Sequence, residues 1–144
     1  MLTIREMDIS DYDSVIKLWS DTENLSLRDA DSRENIKQYL KRNSGLSFVA
    51  EWDKEIVGAV LVGTDGRRGY LQHLAVAPEY RKQGIGQALV GKTIQALNNI
   101  GIAKTHLFVL SDNVGAQSFY QSLGWYPRDE IRMFSFNSSV NLNI

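Results

Sequence analysis

The sequence predicts one mixed α+β domain over residues 1–144, a twisted sheet covered by helices, and three observations carry that prediction. Strand-like and amphipathic runs follow in the order strand, two helices, three strands, helix, strand, helix, strand. The 144 residues are the length of one ordinary domain, and a chain of this size buries about 68–70% of its unfolded surface. Hydrophobic content of 43% with 23% charged residues is typical of a soluble globular protein.

The elements follow from local pattern. LTIREM alternates apolar and polar residues and reads as a first strand. Asp8 or Ser10 is placed to cap the next helix, where Tyr12, Val15, Ile16 and Trp19 fall on one face. SDTENLSLRDAD, residues 20–31, is polar and acidic and reads as a loop. A second helix, about Ser32 to Arg42, carries Ile36 and Leu40. LSFVAEWD runs to a turn at Asp53-Lys54, EIVGAVLVGT follows, and DGRRG leads into YLQHLAVAP.

From Gly84 to Asn99 a helix turns Ile85, Leu89, Ile94 and Leu97 inward, with Gly101 just past its end. KTHLFVLSD is near-continuously apolar, the pattern of a strand buried on both faces. VGAQSFYQSLGW reads as a short helix with Ala116, Phe119, Tyr120 and Leu123 on one face, stopped by Gly124. EIRMFSF, residues 130–136, reads as the last strand. Strand, helix and strand over 70–111 predict a right-handed parallel crossover.

Composition removes several function classes. A net charge of -1 argues against a nucleic-acid partner, which calls for a basic footprint. The absence of cysteine excludes disulfides, thiolate metal sites and cysteine nucleophiles. His73 and His106 stand far apart with no metal-ligand spacing, so no metal is expected. MLTIREMDIS lacks an apolar signal core and no apolar run approaches membrane-spanning length, so the default expectation is a cytoplasmic protein.

The chemistry concentrates between Val76 and Val90, VAPEYRKQGIGQALV, where a strand hands over to a helix through Arg81-Lys82-Gln83-Gly84-Ile85-Gly86. The first amides of a helix lack internal partners and, with the macrodipole, form a seat for phosphate oxygens. Glycine lets the backbone approach an anion without a Cβ in the way. Arg81 or Lys82 would add charge-assisted contacts. Without a Lys-Ser or Lys-Thr end this is not a Walker loop, and its spacing fails the dinucleotide fingerprint.

LAVAPEYRKQGIGQAL resembles the acyl-coenzyme A motif of the GCN5-related N-acetyltransferases, Arg/Gln-x-x-Gly-x-Gly/Ala after a hydrophobic-Ala-Val strand end. LFVLSDNVGAQSFYQSLGW resembles the family's later strand and helix, and the order of elements agrees over essentially the whole chain. The resemblance implies a central mixed sheet of six to seven strands flanked by about four helices. It implies acetyl-coenzyme A as co-substrate, with transfer of the acetyl group to a primary amine. Main-chain groups of Leu74, Ala75 and Val76 would pair with the pantetheine arm, and amides of Arg81, Lys82, Gln83, Gly84, Ile85 and Gly86 would hold the pyrophosphate. Asn113 and Ala116 would sit against the cofactor, Asn113 doubling as a helix N-cap, and Tyr120 would act as general acid toward the leaving thiolate.

The base is less defined. Several relatives place a glutamate on the fourth strand, where this chain reads YLQHLAV without a carboxylate. Histidine is the side chain that ordinarily titrates near neutrality, and His73 is the only one there. Strict alternation sets His73 opposite Tyr70, Gln72 and Leu74, whereas a bulge would reverse that parity. Asp21, Glu23, Asp29 and Asp31 could steer a cationic amine, small molecule or peptide amino group, or be a solvated loop with helix caps. The missing strand carboxylate keeps a second class open, an acyl-coenzyme A sensor without turnover. The family often forms dimers, which leaves a homodimer open.

Overall fold

The computed structural model describes residues 1–144, and its internal contacts divide into two compact units, residues 1–108 and residues 109–144. The first unit holds a five-stranded sheet in the order β1-β2-β3-β4-β5: β1 (Leu2–Glu6), β2 (Phe48–Trp52), β3 (Glu55–Thr64), β4 (Gly69–Val76) and β5 (Thr105–Leu107). The first four strands run antiparallel to their neighbours, and β5 is parallel to β4 across α3 (Ile85–Asn99). Helices α1 (Tyr12–Ser20) and α2 (Arg33–Arg42) complete this unit.

Local chemistry accounts for these boundaries. Asp8 accepts the Ser10 amide and Asp11 returns a bond to the Asp8 amide, a reciprocal cap on the turn that opens α1. Ser32 caps α2 through the Asn35 amide. Asp53 and Lys54 carry φ of 50° and 70°, the left-handed pair that a two-residue hairpin matching strand twist requires. Trp19, 0% exposed, anchors a core with Val15, Ile36, Val49, Ala59, Leu61 and Ala75. Leu89 and Leu97 of α3 are buried as expected; Ile94 is only half-buried, and Thr93 is buried beside it in sequence. No helix is long and apolar enough to cross a membrane.

The sheet has five strands rather than six or seven. KTHLFVLSD forms a strand only over Thr105–Leu107, whose side chains are half-buried, and Phe108 and Leu110 are exposed. Its ladder partner on β4 ends at Leu71, and apolar residues without a paired backbone do not continue a strand. EIRMFSF likewise forms no strand, and Ile131, Met133, Phe134 and Phe136 are exposed. In the second unit α4 (Val114–Ser122) is stopped by Gly124 at φ 93°.

Candidate active site

One irregularity in β4 organises the first unit's site. Leu61 pairs with Gln72 and Ala59 with Ala75, so His73 and Leu74 together oppose the single Val60. This is a β-bulge, and His73 sits in it at φ 52°, the left-handed region that non-glycine residues enter at a cost of about 1–2 kcal/mol. The bulge settles the parity left open by the sequence. Leu61 and Ala59 belong to the core beneath α1 and α2, so Gln72 and Ala75 face that side. His73 joins them there, its ring 5.0 Å from that of Trp19.

The imidazole is held. His73 Nε2 lies 2.9 Å from Asp31 Oδ1, and the two side chains are 18% and 10% exposed. Asp31 lies in a 3-10 turn, Asp29–Asp31, where its other oxygen accepts the Arg28 amide at 3.0 Å and its carbonyl accepts the Tyr12 hydroxyl at 2.7 Å. Burial alone would raise the Asp31 carboxyl; the bonds from His73 and Arg28 outweigh it and hold the group below the usual carboxylate range.

On its other side β4 has an open edge. The β4–β5 ladder covers only Gly69, Tyr70 and Leu71. Beyond it Ala77 donates to the Val57 carbonyl at 2.8 Å, so Ala75 and Ala77 point their backbone groups at β3. Leu74 and Val76 therefore turn theirs to the side where no strand pairs. Arg81 Nε reaches that edge and donates to the Val76 carbonyl at 2.9 Å.

The mouth of α3 has the expected shape. Gly84 is the N-cap at φ 83°, no side chain caps the helix, and a Cβ built there meets nothing within 4 Å. Backbone bonding resumes at Ala88, whose amide donates to the Gly84 carbonyl at 3.0 Å. The amides before it belong to the first turn, which has no internal acceptors, and Gly86 is the second helical residue. Lys82, at φ 62°, and Gln83 are exposed, and Ile85 is buried as the helix's first core contact. The Arg81 side chain is committed elsewhere, bonding both oxygens of Glu23 as well as Val76.

The acidic segment is thus largely paired within the protein. Asp21 bonds Lys17, Glu23 bonds Arg81 and Asp31 bonds His73. No sequence spacing signalled the last two contacts, which join residues 58 and 42 positions apart. A cavity of about 430 Å³ lies at the end of the sheet, lined among others by Asn35, Tyr39, Arg42, Tyr70 and Gln72. His106 stacks on Tyr70 with centroids 6.0 Å apart, a structural position.

In the second unit Asn113 caps α4, its side chain accepting the Ala116 amide at 3.1 Å. Tyr120 packs edge-on against Phe119 and Trp125, with centroids 5.1 and 5.6 Å away. Burial pushes its phenol up to about 12.

Known proteins resemble this chain over most of its length. Residues 12–125 match the model of the Acetyltransferase (GNAT) family. An acetyltransferase of Sodalis glossinidius is 33% identical over 130 residues, covering 90% of this chain and 91% of that one. An acetyltransferase of Pectobacterium atrosepticum is 34% identical over 132 residues, covering 92% and 93%. Among solved structures, the PaiA N-acetyltransferase of Thermoplasma acidophilum in complex with coenzyme A superposes with a TM-score of 0.79 at 22% identity, covering 90% of this chain and 92% of that one. An aminoglycoside acetyltransferase from an uncultured soil metagenomic sample gives 0.77 at 23%, covering 96% and 97%. A family model matched over most of the chain and relatives matched along nearly their full lengths lead to one conclusion: the chain belongs to the GNAT family of acetyltransferases.

Proposed function

We propose that residues 1–144 form one N-acetyltransferase domain that moves an acetyl group from acetyl-coenzyme A to a primary amine by direct attack. The observation that carries this reading is the unpaired β4 edge at Leu74 and Val76, followed directly by the uncapped mouth of α3. The fit is chemical. A strand edge offers amide and carbonyl groups to the pantetheine amides. Free amides around Gly84, where a Cβ would meet only open space, offer a diphosphate its donors. When bound, acetyl-coenzyme A supplies an acyl carbon with a thiolate leaving group.

This chain's own residues do the rest. Backbone groups of Leu74, Ala75 and Val76 align the pantetheine arm, amides of Lys82 through Gly86 seat the pyrophosphate, and Asn113 and Ala116 contact the arm from α4. Arg81 braces the turn instead, since its amide donates to the Pro78 carbonyl at 3.3 Å and its guanidinium is bonded to Glu23 and Val76. Lys82 adds the mobile cationic charge. His73 takes a proton from the incoming ammonium, and Tyr120 hydrogen-bonds the departing sulfur. Passing a full proton from a phenol at about 12 to a thiolate of ordinary pKa roughly 8.5 is uphill by about 5 kcal/mol. Tyr120 therefore works chiefly as a hydrogen-bond donor. The acceptor is a cationic amine, a small molecule or a peptide amino group, seated from the cavity lined by Tyr39, Tyr70 and Gln72.

Thiol release from acetyl-coenzyme A with polyamines, aminoglycosides, amino acids and short peptides tests this. Turnover with one class, lowered in Tyr120→Phe, supports the transferase. Binding without release on any acceptor points to a sensing module, and failure to bind overturns the reading of the α3 mouth.

A further inference from the structure

β4 carries no carboxylate of its own, and its one histidine has gained one from elsewhere in the chain. Asp31 comes from the turn before α2, 42 residues away, and meets His73 Nε2 at 2.9 Å. A carboxylate only accepts, so in the neutral ring Nε2 carries the hydrogen and Nδ1 the lone pair. Both ends of the contact are braced. Asp31 is tied by the Arg28 amide and, through its carbonyl, by the Tyr12 hydroxyl. His73 is fixed by the bulge at φ 52° and by the Trp19 ring. The strain of a left-handed histidine persists because its surroundings over-determine it, which is how functional side chains are commonly held.

We infer that Asp31 is a positioning residue of the reaction: its carboxylate fixes the His73 imidazole with Nε2–H turned inward, leaving Nδ1 as the atom that accepts the proton of the acceptor ammonium. This rests on the transferase reading above. The groups that face the ring are few. Asp31 approaches from the 3-10 turn, and Trp19 comes from α1, where Tyr12 stands one bond behind Asp31. Gln72 precedes it on β4, and β3 opposes it with the apolar Ala59, Val60 and Leu61.

The proton count closes. Nδ1 takes one proton from the ammonium and the ring becomes imidazolium beside the Asp31 carboxylate. The amine lone pair forms the C–N bond to the acetyl carbon as the C–S bond breaks and its electrons leave on sulfur. The second proton shed by nitrogen ends on that sulfur, and the imidazolium returns its proton to water. One proton is released per turnover.

Two measurements test this on the whole chain. The first is long-range ¹⁵N–¹H spectra of the protein labelled at histidine, with His106→Gln to assign its two rings. Neutral His73 is expected as the Nε2–H tautomer; an Nδ1–H tautomer overturns the inference without any acceptor. The second is kcat and KM measured separately with the panel amine that wild type acetylates fastest, for Asp31→Asn, Asp31→Glu, His73→Gln and the double variant Asp31→Asn/His73→Gln. Losing the carboxylate frees the ring to turn, so Asp31→Asn should cut kcat about tenfold or more. The KM for acetyl-coenzyme A should stay within about twofold, and Asp31→Glu should recover part of the loss. In a His73→Gln background Asp31→Asn should cost almost nothing further.

An unchanged kcat in Asp31→Asn, or an equal cost in both backgrounds, reduces Asp31 to a structural role and overturns the inference while the transferase stands. No turnover by wild type on any amine would instead overturn the transferase reading, and the inference with it.

Discussion

The Glu23 carboxylate closes on the Arg81 guanidinium with both oxygens, at 2.6 and 3.2 Å, and so ties the acidic segment before α2 to the mouth of α3. The cation that would serve a diphosphate is already occupied, and its Nε holds the Val76 carbonyl. The pair is well exposed, Glu23 at 61% and Arg81 at 36%, and such pairs contribute about 0–1 kcal/mol.

Glu23→Gln is therefore expected to change the Kd for coenzyme A by less than about fivefold, a shift worth about 1 kcal/mol. Titration calorimetry at low and moderate salt checks this. A tenfold tightening would mean that Arg81 is a phosphate ligand restrained by Glu23, against the role given to it here.

Gly84→Ala should separate binding from stability. At φ 83° an alanine strains the backbone by about 1–2 kcal/mol, which would lower Tm by several degrees. Its methyl group meets no protein atom within 4 Å and projects into the proposed phosphate seat. The Kd for coenzyme A should rise about tenfold or more, well beyond what lost stability accounts for. An unchanged Kd would move the phosphate away from this turn.

Tyr120→Phe should lower kcat about tenfold to a hundredfold and leave coenzyme A binding within about twofold. With the phenol at about 12, Tyr120 stays protonated through the working range, so wild type should show no alkaline limb from this group below about pH 11. Stopped-flow thiol detection between pH 6 and 10 checks both statements.

Acid should destabilise the first unit through two buried carboxyls. Burial would raise Asp11, but the bidentate bond from Arg5 at 2.8 Å to each oxygen and the Asp8 amide hold it low; His73 and Arg28 do the same for Asp31. A depressed carboxyl contributes fully above the ordinary carboxylate range, near pH 4, and its contribution is lost as pH falls through the lowered value. Urea midpoints should hold from pH 7 to about 5 and drop below about 4. Asp11→Asn should start less stable and fall less steeply.

Much of this was legible in the sequence where the determinant is local. The turn at Asp53-Lys54, the Asp8 cap, the Gly84 mouth and the Asn113 cap each depend on a few consecutive residues, and each was readable. The bulge at His73 was not, because nothing in YLQHLAV marks which residue goes left-handed; the choice depends on Val60 across the ladder and Asp31 beyond it. The acidic segment was visible as charge, but its partners come from Arg81 and His73, and charge alone does not reveal a partner. KTHLFVLSD and EIRMFSF failed for a related reason. Their hydrophobicity predicts strands, but a strand exists only where another backbone completes its ladder.

The open edge of β4 gives the protein a weak point. Past Leu71 the strand keeps an unpaired row, and Phe108 and Leu110 stand exposed just after β5. An edge left open for a small molecule is open to any extended chain, including another copy of itself. The ligand-free protein should therefore clump faster when warmed or concentrated, and a saturating acyl donor should act as its preservative.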